Sequence, residues 1–197
     1  MNIDLLTEQM DIKGLDAFYC VNPSNRRYFS GFTGSAGTLL MLRGKRYLLT
    51  DSRYTLQAAG QAKAFEVVEC GPGDLLTTVA CIAADHGLKR MGFEEEEMTV
   101  AEHGRLSAAL PKTLSLCPAG HIPQALRRIK TPDELEKIRR AARITDEVFA
   151  ELLKVIKPGL REKDVALEIE YRIKQRCEGV SFDTIAASGR QKLFSPR

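Results

Sequence analysis

The chain contains no long apolar run, and this absence excludes a membrane-spanning helix. Such a helix needs roughly 18 or more consecutive apolar residues, and every apolar stretch here is shorter. The first residues, MNIDLLTEQMDIKG, form an acidic amphipathic segment that lacks the apolar core of a signal peptide. We therefore expect a cytoplasmic protein without a membrane partner.

Cysteines are few, and none is spaced for a zinc or redox site. No two of them form a C-x-x-C pair, so we interpret all five as buried or idle thiols: Cys20, Cys70, Cys81, Cys117 and Cys177.

An excess of one charge is also missing, because 29 Lys and Arg residues are nearly balanced by 26 Asp and Glu residues, for a net charge of +3. This balance gives no reason to expect nucleic acid as a partner.

Nucleotide-binding motifs are absent as well. The segment GFTGSAG contains three glycines, Gly31, Gly34 and Gly37. It lacks both the Lys-Ser/Thr pair that ends a Walker loop and the G-x-G-x-x-G spacing of a dinucleotide loop. We interpret it as a structural turn that leads into a strand.

Catalytic patterns are missing too. His86, His103 and His121 are isolated and do not have the spacing of a metal site, and no G-x-S-x-G segment offers a serine nucleophile. Consecutive carboxylates point in different directions, so we interpret the run from Glu94 to Glu97 as a solvated loop. The segment Asp51-Ser52-Arg53-Tyr54 is either a polar site or a helix start at which Asp51 or Ser52 caps the helix that follows. Spacing alone therefore predicts no catalytic and no metal-binding residue, and it leaves substrate-binding residues unknown.

The first two thirds of the chain show alternating helix and strand patterns. Near-helical apolar spacing up to Gly14 precedes the short apolar run LDAFYCVN, and GTLLMLRGKRYLLTD reads as a hairpin in which Gly44 supplies a positive φ. Further strands are expected at AFEVVEC, KRMGFE and TLSLC, with helices between them. This order predicts an α/β fold with a mixed sheet covered by helices.

Beyond about residue 123 the pattern becomes helical. Thr131 to Glu134 forms a capping box with proline at the first helical position, and apolar residues follow at spacings of three and four as far as Ile156. A second helix is expected from Arg161 to Cys177, and VSFDTIAASG reads as a strand. Two helices and one strand cannot bury their own apolar faces, so we expect an exposed apolar patch and self-association.

Four ordered segments together resemble the creatinase, prolidase and aminopeptidase P family of metallopeptidases. They are NRRYFSGFTGSAGTLLM, YLLTDSRYTLQA, RRIKTPDELEKIRRAARITDEVF and KPGLREKDVALEIEYRIKQRCEGVSFDTIAASG. The resemblance implies a creatinase-type N-terminal domain at residues 1–122, a linker at 123–130, and the truncated start of a pita-bread α+β catalytic domain at 131–197.

Members of this family cleave the bond that precedes proline, and they use two divalent metal ions, often manganese, to activate water. The resemblance places their ligands, two aspartates, a histidine and two glutamates, after the segment that matches FDTIAASG. Asp183 lies before these positions and is not one of them. We therefore expect this chain to bind no metal and to be inactive by itself.

The last ten residues, Ser188 to Arg197, do not follow the resemblance. In the family, the glycine that matches Gly189 is followed shortly by a Pro-His pair, whereas here Pro196 precedes Arg197 and lies one position late. One extra nucleotide near the codon for Lys192 would explain this offset, and we state a frameshift as a hypothesis.

Three functions follow as hypotheses. The first is the N-terminal part of a Xaa-Pro aminopeptidase or prolidase-like enzyme, whose full-length form acts on proline-containing peptides. The second is a non-catalytic oligomerisation or regulatory module that pairs with a homologous full-length peptidase. The third, a small-molecule-binding α/β protein, rests on the fold and on the glycine segment alone.

Overall fold

The computed structural model describes residues 3–189. The chain divides into two compact units, with the division between Ile129 and Lys130. The residues from Arg190 to Arg197, on which the frameshift hypothesis depends, lie outside the described residues. No helix in the described part of the chain is long and apolar enough to cross a membrane.

Helices and strands alternate in the first unit, as the sequence predicted. In chain order they are α1 (Ile3–Ile12), β1 (Ala17–Cys20), α2 (Pro23–Ser30), β2 (Thr38–Leu42), β3 (Arg46–Thr50), α3 (Thr55–Gln61), β4 (Glu66–Glu69), α4 (Leu75–Asp85), β5 (Arg90–Phe93), α5 (Val100–Ala109), β6 (Ser115–Pro118) and α6 (Ile122–Arg128).

The six strands form one mixed sheet in the order β4-β3-β2-β1-β5-β6. Strand β2 runs antiparallel to both of its neighbours, whereas the pairs β3–β4, β1–β5 and β5–β6 are parallel. All strands except β2 therefore point in the same direction. The α/β fold with a mixed sheet and covering helices is confirmed.

Both faces of the sheet are buried, because side chains alternate between them along each strand. Phe18 and Leu48 pack on one face with residues of α1, α2, α3 and α6. Tyr19 and Leu49, their neighbours in sequence, pack on the other face with residues of α4 and α5. Burial on both faces explains why β1 and β2 read as continuous apolar runs.

The hairpin of β2 and β3 is confirmed, but the role predicted for Gly44 is wrong. The strands pair from Thr38 opposite Leu49 to Met41 opposite Arg46. Gly44 is not among the glycines with positive φ in the described residues. The connection therefore closes without the left-handed conformation that would require a glycine.

Two helices were missed from the sequence. Asn22 caps α2 by accepting a hydrogen bond from the Asn25 N–H at 3.0 Å, and Gly31 ends this helix with φ 76°. Asn22-Pro23 bounds the apolar run that predicts β1, and an N-cap followed by proline also begins a helix. Helix α6 occupies most of the expected linker at 123–130, and Ile122 and Pro123 are buried.

The second unit contains two helices within residues 130–189, α7 (Pro132–Leu152) and α8 (Glu162–Lys174). The predicted capping box is confirmed: the Thr131 N–H donates to Glu134 Oε2 at 2.8 Å, and the Glu134 N–H donates to Thr131 Oγ1 at 3.3 Å. Helix α7 ends at Leu152, four residues before the predicted end.

No strand forms in VSFDTIAASG, at residues 180–189, so this prediction is wrong for the described structure. A strand requires a partner strand for its backbone N–H and C=O groups, and residues 130–189 contain none.

Replacing a buried leucine tests the position of the core. We expect Leu48→Ala to lower the free energy of unfolding by about 2–5 kcal/mol, because Leu48 is fully buried between β2 and β4 and its removal leaves a cavity. The control is Leu56→Ala, in the same unit but at a side chain that is 91% exposed. This substitution should change the free energy of unfolding by less than about 0.5 kcal/mol. Urea unfolding followed by circular dichroism measures both, and equal effects would contradict this core.

Candidate functional site

Polar segments gather at one edge of the sheet. Strands β1, β3, β4, β5 and β6 are parallel, so all their carboxyl ends lie at this edge, which we call the carboxyl edge. Their last residues are followed by polar or turn segments that begin near Asn22, Asp51, Gly71, Glu94 and Gly120. In open α/β sheets, ligands bind outside the carboxyl ends of the strands. The carboxyl edge is therefore the candidate site in the first unit.

The carboxylate of Glu94 is buried at this edge, with only 3% of the residue exposed. Its Oε2 accepts the backbone N–H groups of Val21 at 2.6 Å and Asn22 at 2.8 Å. Its Oε1 accepts from Asn25 Nδ2 at 2.7 Å and from the Cys20 thiol at 3.5 Å. All its bonds connect β5 to the end of β1 and the start of α2, so this carboxylate is structural and is not available to a ligand.

The prediction that Glu94 lies in a solvated loop is therefore wrong. A run of four glutamates does not reveal which of them turns inward. Glu94 turns inward because the backbone N–H groups of Val21 and Asn22, in the connection between β1 and α2, need an acceptor.

Burial and the nearby Glu94 carboxylate raise the pKa of the Cys20 thiol well above its usual value. Cys20 therefore stays protonated and unreactive at neutral pH. This agrees with the interpretation of Cys20 as a buried thiol.

The remaining carboxylates of the run and the three histidines have separate partners in the first unit. Glu95 accepts the Gly120 N–H at 3.0 Å, and Glu96 lies 3.2 Å from His121 Nδ1. His86 hydrogen-bonds Tyr47, while His103 packs on the ring of Phe93. Among residues 3–189, no three His, Cys, Asp or Glu side chains converge on a possible metal position. The described residues therefore do not fit a two-metal centre.

The glycine segment, residues 31–37, is organised by a buried cation. Arg26 is 3% exposed; its Nη1 donates to the Gly37 carbonyl and its Nη2 to the Gly34 carbonyl, each at 2.5 Å. A phosphate loop instead points its N–H groups at an anion. Carbonyl oxygens around a guanidinium have the opposite polarity, which agrees with the interpretation of this segment as a structural turn.

Asp51 and Arg53 form an exposed pair at the same edge. Arg53 Nη2 lies 2.8 Å from Asp51 Oδ2, and this hydrogen-bonded guanidinium lowers the pKa of the Asp51 carboxyl. Helix α3 has Tyr54 at its N-cap without a side-chain bond. The prediction that Asp51 or Ser52 caps α3 is wrong, because Asp51 accepts the N–H of Arg53, which lies outside the helix.

An open groove of about 600 Å³ lies beside this pair, between residues 36–38, 49–53 and 69–73. It contains carboxylates and an arginine that are already paired or bonded, such as Glu69, which accepts from Thr55 at 2.9 Å. The groove has the size of a small-molecule site.

In the second unit, charged side chains join the two helices. Arg172 of α8 contacts Glu151 of α7 at 2.5 Å, and Arg176 contacts the other oxygen of Glu151 at 2.6 Å. The hydrogen bond from Arg172 lowers the pKa of Glu151. These oxygens are occupied by arginines, so the cluster holds α7 against α8.

Apolar side chains in the second unit are largely exposed. Helix α8 has no buried residue, and α7 has two, Val148 and Leu152. A cavity of about 500 Å³ lies between α7, α8 and residues 179–185. We call its apolar walls the second-unit face, which consists of Ile144, Ile169, Ile173, Phe182 and Ile185. Asp183 is exposed and belongs to no possible metal cluster among residues 3–189.

Replacing Glu94 tests its structural role. In Glu94→Gln, either orientation of the amide places its NH₂ group against another donor, at Val21 and Asn22 or at Asn25. We expect the free energy of unfolding to fall by about 2–3 kcal/mol. Glu97→Gln, an exposed position in the same run, is the matched control and should behave like the parent chain in urea unfolding. A Glu94→Gln chain as stable as this control would contradict the assigned role.

Comparison with known proteins gives two family matches. Residues 3–129 match the model of the creatinase/prolidase N-terminal domain, and residues 136–194 match the model of metallopeptidase family M24. The chain is 37% identical over 190 residues to the uncharacterized peptidase YqhT of Bacillus subtilis, covering 96% of this chain and 53% of that protein. It spans about half the length of the curated relatives it matches.

Solved structures of Xaa-Pro peptidases are also similar to this chain. The Xaa-Pro dipeptidase of Bacillus anthracis superposes with a TM-score of 0.83 at 30% identity, over 89% of this chain and 48% of that one. The N-terminal domain of cytoplasmic peptidase PepQ from Mycobacterium tuberculosis superposes with a TM-score of 0.58 at 36% identity, over 63% of this chain and 96% of that one.

Proposed function

The chain belongs to the creatinase and prolidase family, and from this premise we propose that it is the N-terminal part of a Xaa-Pro aminopeptidase or prolidase-like metallopeptidase. The observation that carries the proposal is the succession of two matches in one chain, the creatinase/prolidase domain at 3–129 and the M24 domain at 136–194. Their order follows the order of the two compact units. The substrates proposed for the full-length form are peptides with proline after the scissile bond.

We further propose that residues 1–197 do not perform this hydrolysis by themselves. The relatives are about twice as long as the chain, and the described residues do not fit a two-metal centre. In a full-length member, two divalent ions, proposed to be manganese, would supply a Lewis acid and an activated water. No residue at 3–189 is assigned to hold them, and no catalytic or substrate-binding residue is assigned.

The domain assignment remains part of this proposal: a creatinase-like domain at 1–122, a linker at 123–130, and an incomplete pita-bread catalytic domain at 131–197. A cytoplasmic location is likewise proposed.

Metal content and hydrolysis test the proposal together. We expect the purified chain, incubated with Mn²⁺ or Co²⁺ and desalted, to retain no stoichiometric metal by mass spectrometry and to release no proline from Xaa-Pro dipeptides. The Xaa-Pro dipeptidase of Pyrococcus furiosus, a relative 26% identical to this chain, serves as the positive control. One bound ion per chain, together with proline release, would overturn the proposed inactivity.

A second candidate function is a non-catalytic module that associates with itself or with a homologous peptidase. The second-unit face favours it, since Phe182 is 72% exposed and Ile185 is 61% exposed. Contiguous exposed apolar residues mark interaction surfaces or aggregation sites.

Light scattering tests this candidate. We expect the chain to form species heavier than a monomer, because association removes the second-unit face from water. The double variant Phe182→Ser, Ile185→Ser should raise the monomer fraction, whereas Leu56→Ser, at an exposed leucine of the first unit, should leave it unchanged. Mixing with a homologous full-length peptidase tests the regulatory form. A monodisperse monomer and no mass change on mixing would count against this candidate.

A further inference from the structure

A second, smaller cavity lies at the carboxyl edge, and neither Glu94 nor the glycine segment is among its lining residues. It has a volume of about 300 Å³ and lies where β1 and β2 face α4 and α5. Thr38 and Leu75 line both this cavity and the larger groove, so the two are adjacent. We call the smaller one the α5 cavity.

The α5 cavity lies where the chain connections diverge. Helix α3, between β3 and β4, packs on one face of the sheet through Ala58 and Ala62. Helix α5, between β5 and β6, packs on the opposite face through Leu106. Connections that leave on opposite faces open a crevice at the carboxyl ends, where doubly wound proteins bind small molecules.

The floor of the α5 cavity is a buried phenol. Tyr19 is 3% exposed, and its burial raises the pKa of its hydroxyl to about 12 although the Thr38 side chain hydrogen-bonds to it. Tyr19 is therefore a neutral phenol at neutral pH. Its hydroxyl therefore keeps its proton and can donate it to an acceptor in the cavity.

Two oppositely charged side chains of helix α5 line the cavity. Glu102 and Arg105 are three residues apart on α5, so they lie on the same side of it, and both line the cavity. Glu102 uses Oε2 to accept from Thr99, and Oε1 has no hydrogen bond within residues 3–189. Hydrogen bonds from Thr99, and to a smaller extent the charge of Arg105, lower the pKa of Glu102. The Arg105 side chain forms neither an ion pair nor a hydrogen bond in the described part of the chain.

Apolar side chains also line the cavity: Val21, Leu75, Leu76 and Met98. A volume of about 300 Å³ is at the lower end of the range for small-molecule sites. An acceptor, two donors and an apolar wall in so small a space match a compact zwitterion with an apolar side chain.

We propose that the α5 cavity binds a free apolar α-amino acid. Its carboxylate would bind Arg105 and the Tyr19 hydroxyl, its ammonium group would bind Glu102, and its side chain would pack on Leu75, Leu76 and Met98. The inference is independent of the proposed function, because binding is measured without turnover.

Calorimetric titration of the whole chain with L-leucine is the first test. We expect saturable binding of one L-leucine per chain. L-Leucinamide, which lacks the carboxylate, and 4-methylpentanoate, which lacks the ammonium group, should each bind at least about tenfold more weakly, because charge-assisted hydrogen bonds are lost. No saturable heat with millimolar L-leucine, or equal binding of all three compounds, would overturn the proposal.

Single substitutions locate the binding. Arg105→Gln removes the cation, Glu102→Gln removes the anion but keeps a residue that completes the capping box, and Tyr19→Phe removes only the hydroxyl. Each should weaken L-leucine binding by about tenfold while the circular dichroism spectrum stays unchanged. Lys112→Gln, an exposed position between α5 and β6, makes the same charge change as Arg105→Gln and should bind like the parent chain. Parent-like binding by Arg105→Gln, or an equal loss in Lys112→Gln, would reject the site.

Discussion

Strand β1 ends at Cys20 and helix α2 begins at Pro23, so the backbone N–H groups of Val21 and Asn22 between them need an acceptor outside both elements. Glu94 supplies one carboxylate oxygen to the Val21 and Asn22 N–H groups and the other to the Asn25 amide. Asn25 in turn accepts from Arg127 of α6 at 2.8 Å. The position of α2 thus connects β1, β5 and α6 through one buried carboxylate.

The next residue of α2 extends this arrangement to the glycine segment. Once α2 is placed, Arg26 points its guanidinium at the Gly34 and Gly37 carbonyls, which precede β2. A buried charge is costly unless it is hydrogen-bonded, so the segment closes around Arg26. The carboxyl edge is therefore a set of polar bonds made within the protein, and the α5 cavity is the part of it whose charged groups keep free hydrogen-bonding capacity.

The two units differ in how they bury apolar surface. The sheet of the first unit is covered on both faces, whereas the helices of the second unit are joined by ion pairs of Glu151 with Arg172 and Arg176 and leave the second-unit face exposed. Ion pairs exposed to water contribute little to stability. The second unit therefore has little core of its own among residues 130–189, which is consistent with a match to a domain of longer proteins.

Most of the sequence predictions that succeeded depend on local patterns. The sequence predicts β1, β2, β3 and the capping box at Thr131 correctly. Hydrophobic periodicity and helix capping depend on residues only a few positions apart. Helix α2 was missed because its segment, PSNRRYFS, is polar, with few apolar residues to show a helical period. The predicted strand at 180–189 failed because a strand depends on a neighbour that a local pattern does not supply.

The sequence alone determined the α/β class, the hairpin and the helical second unit, since each follows from spacing and turn chemistry along the chain. Tertiary structure alone decided that Glu94 is buried while Glu97 is exposed, and that Tyr19, Glu102 and Arg105 share one cavity. Tyr19 lies more than 80 residues before Glu102 and Arg105 in the sequence. Only the strand order and the opposite connections on the two faces of the sheet bring them together.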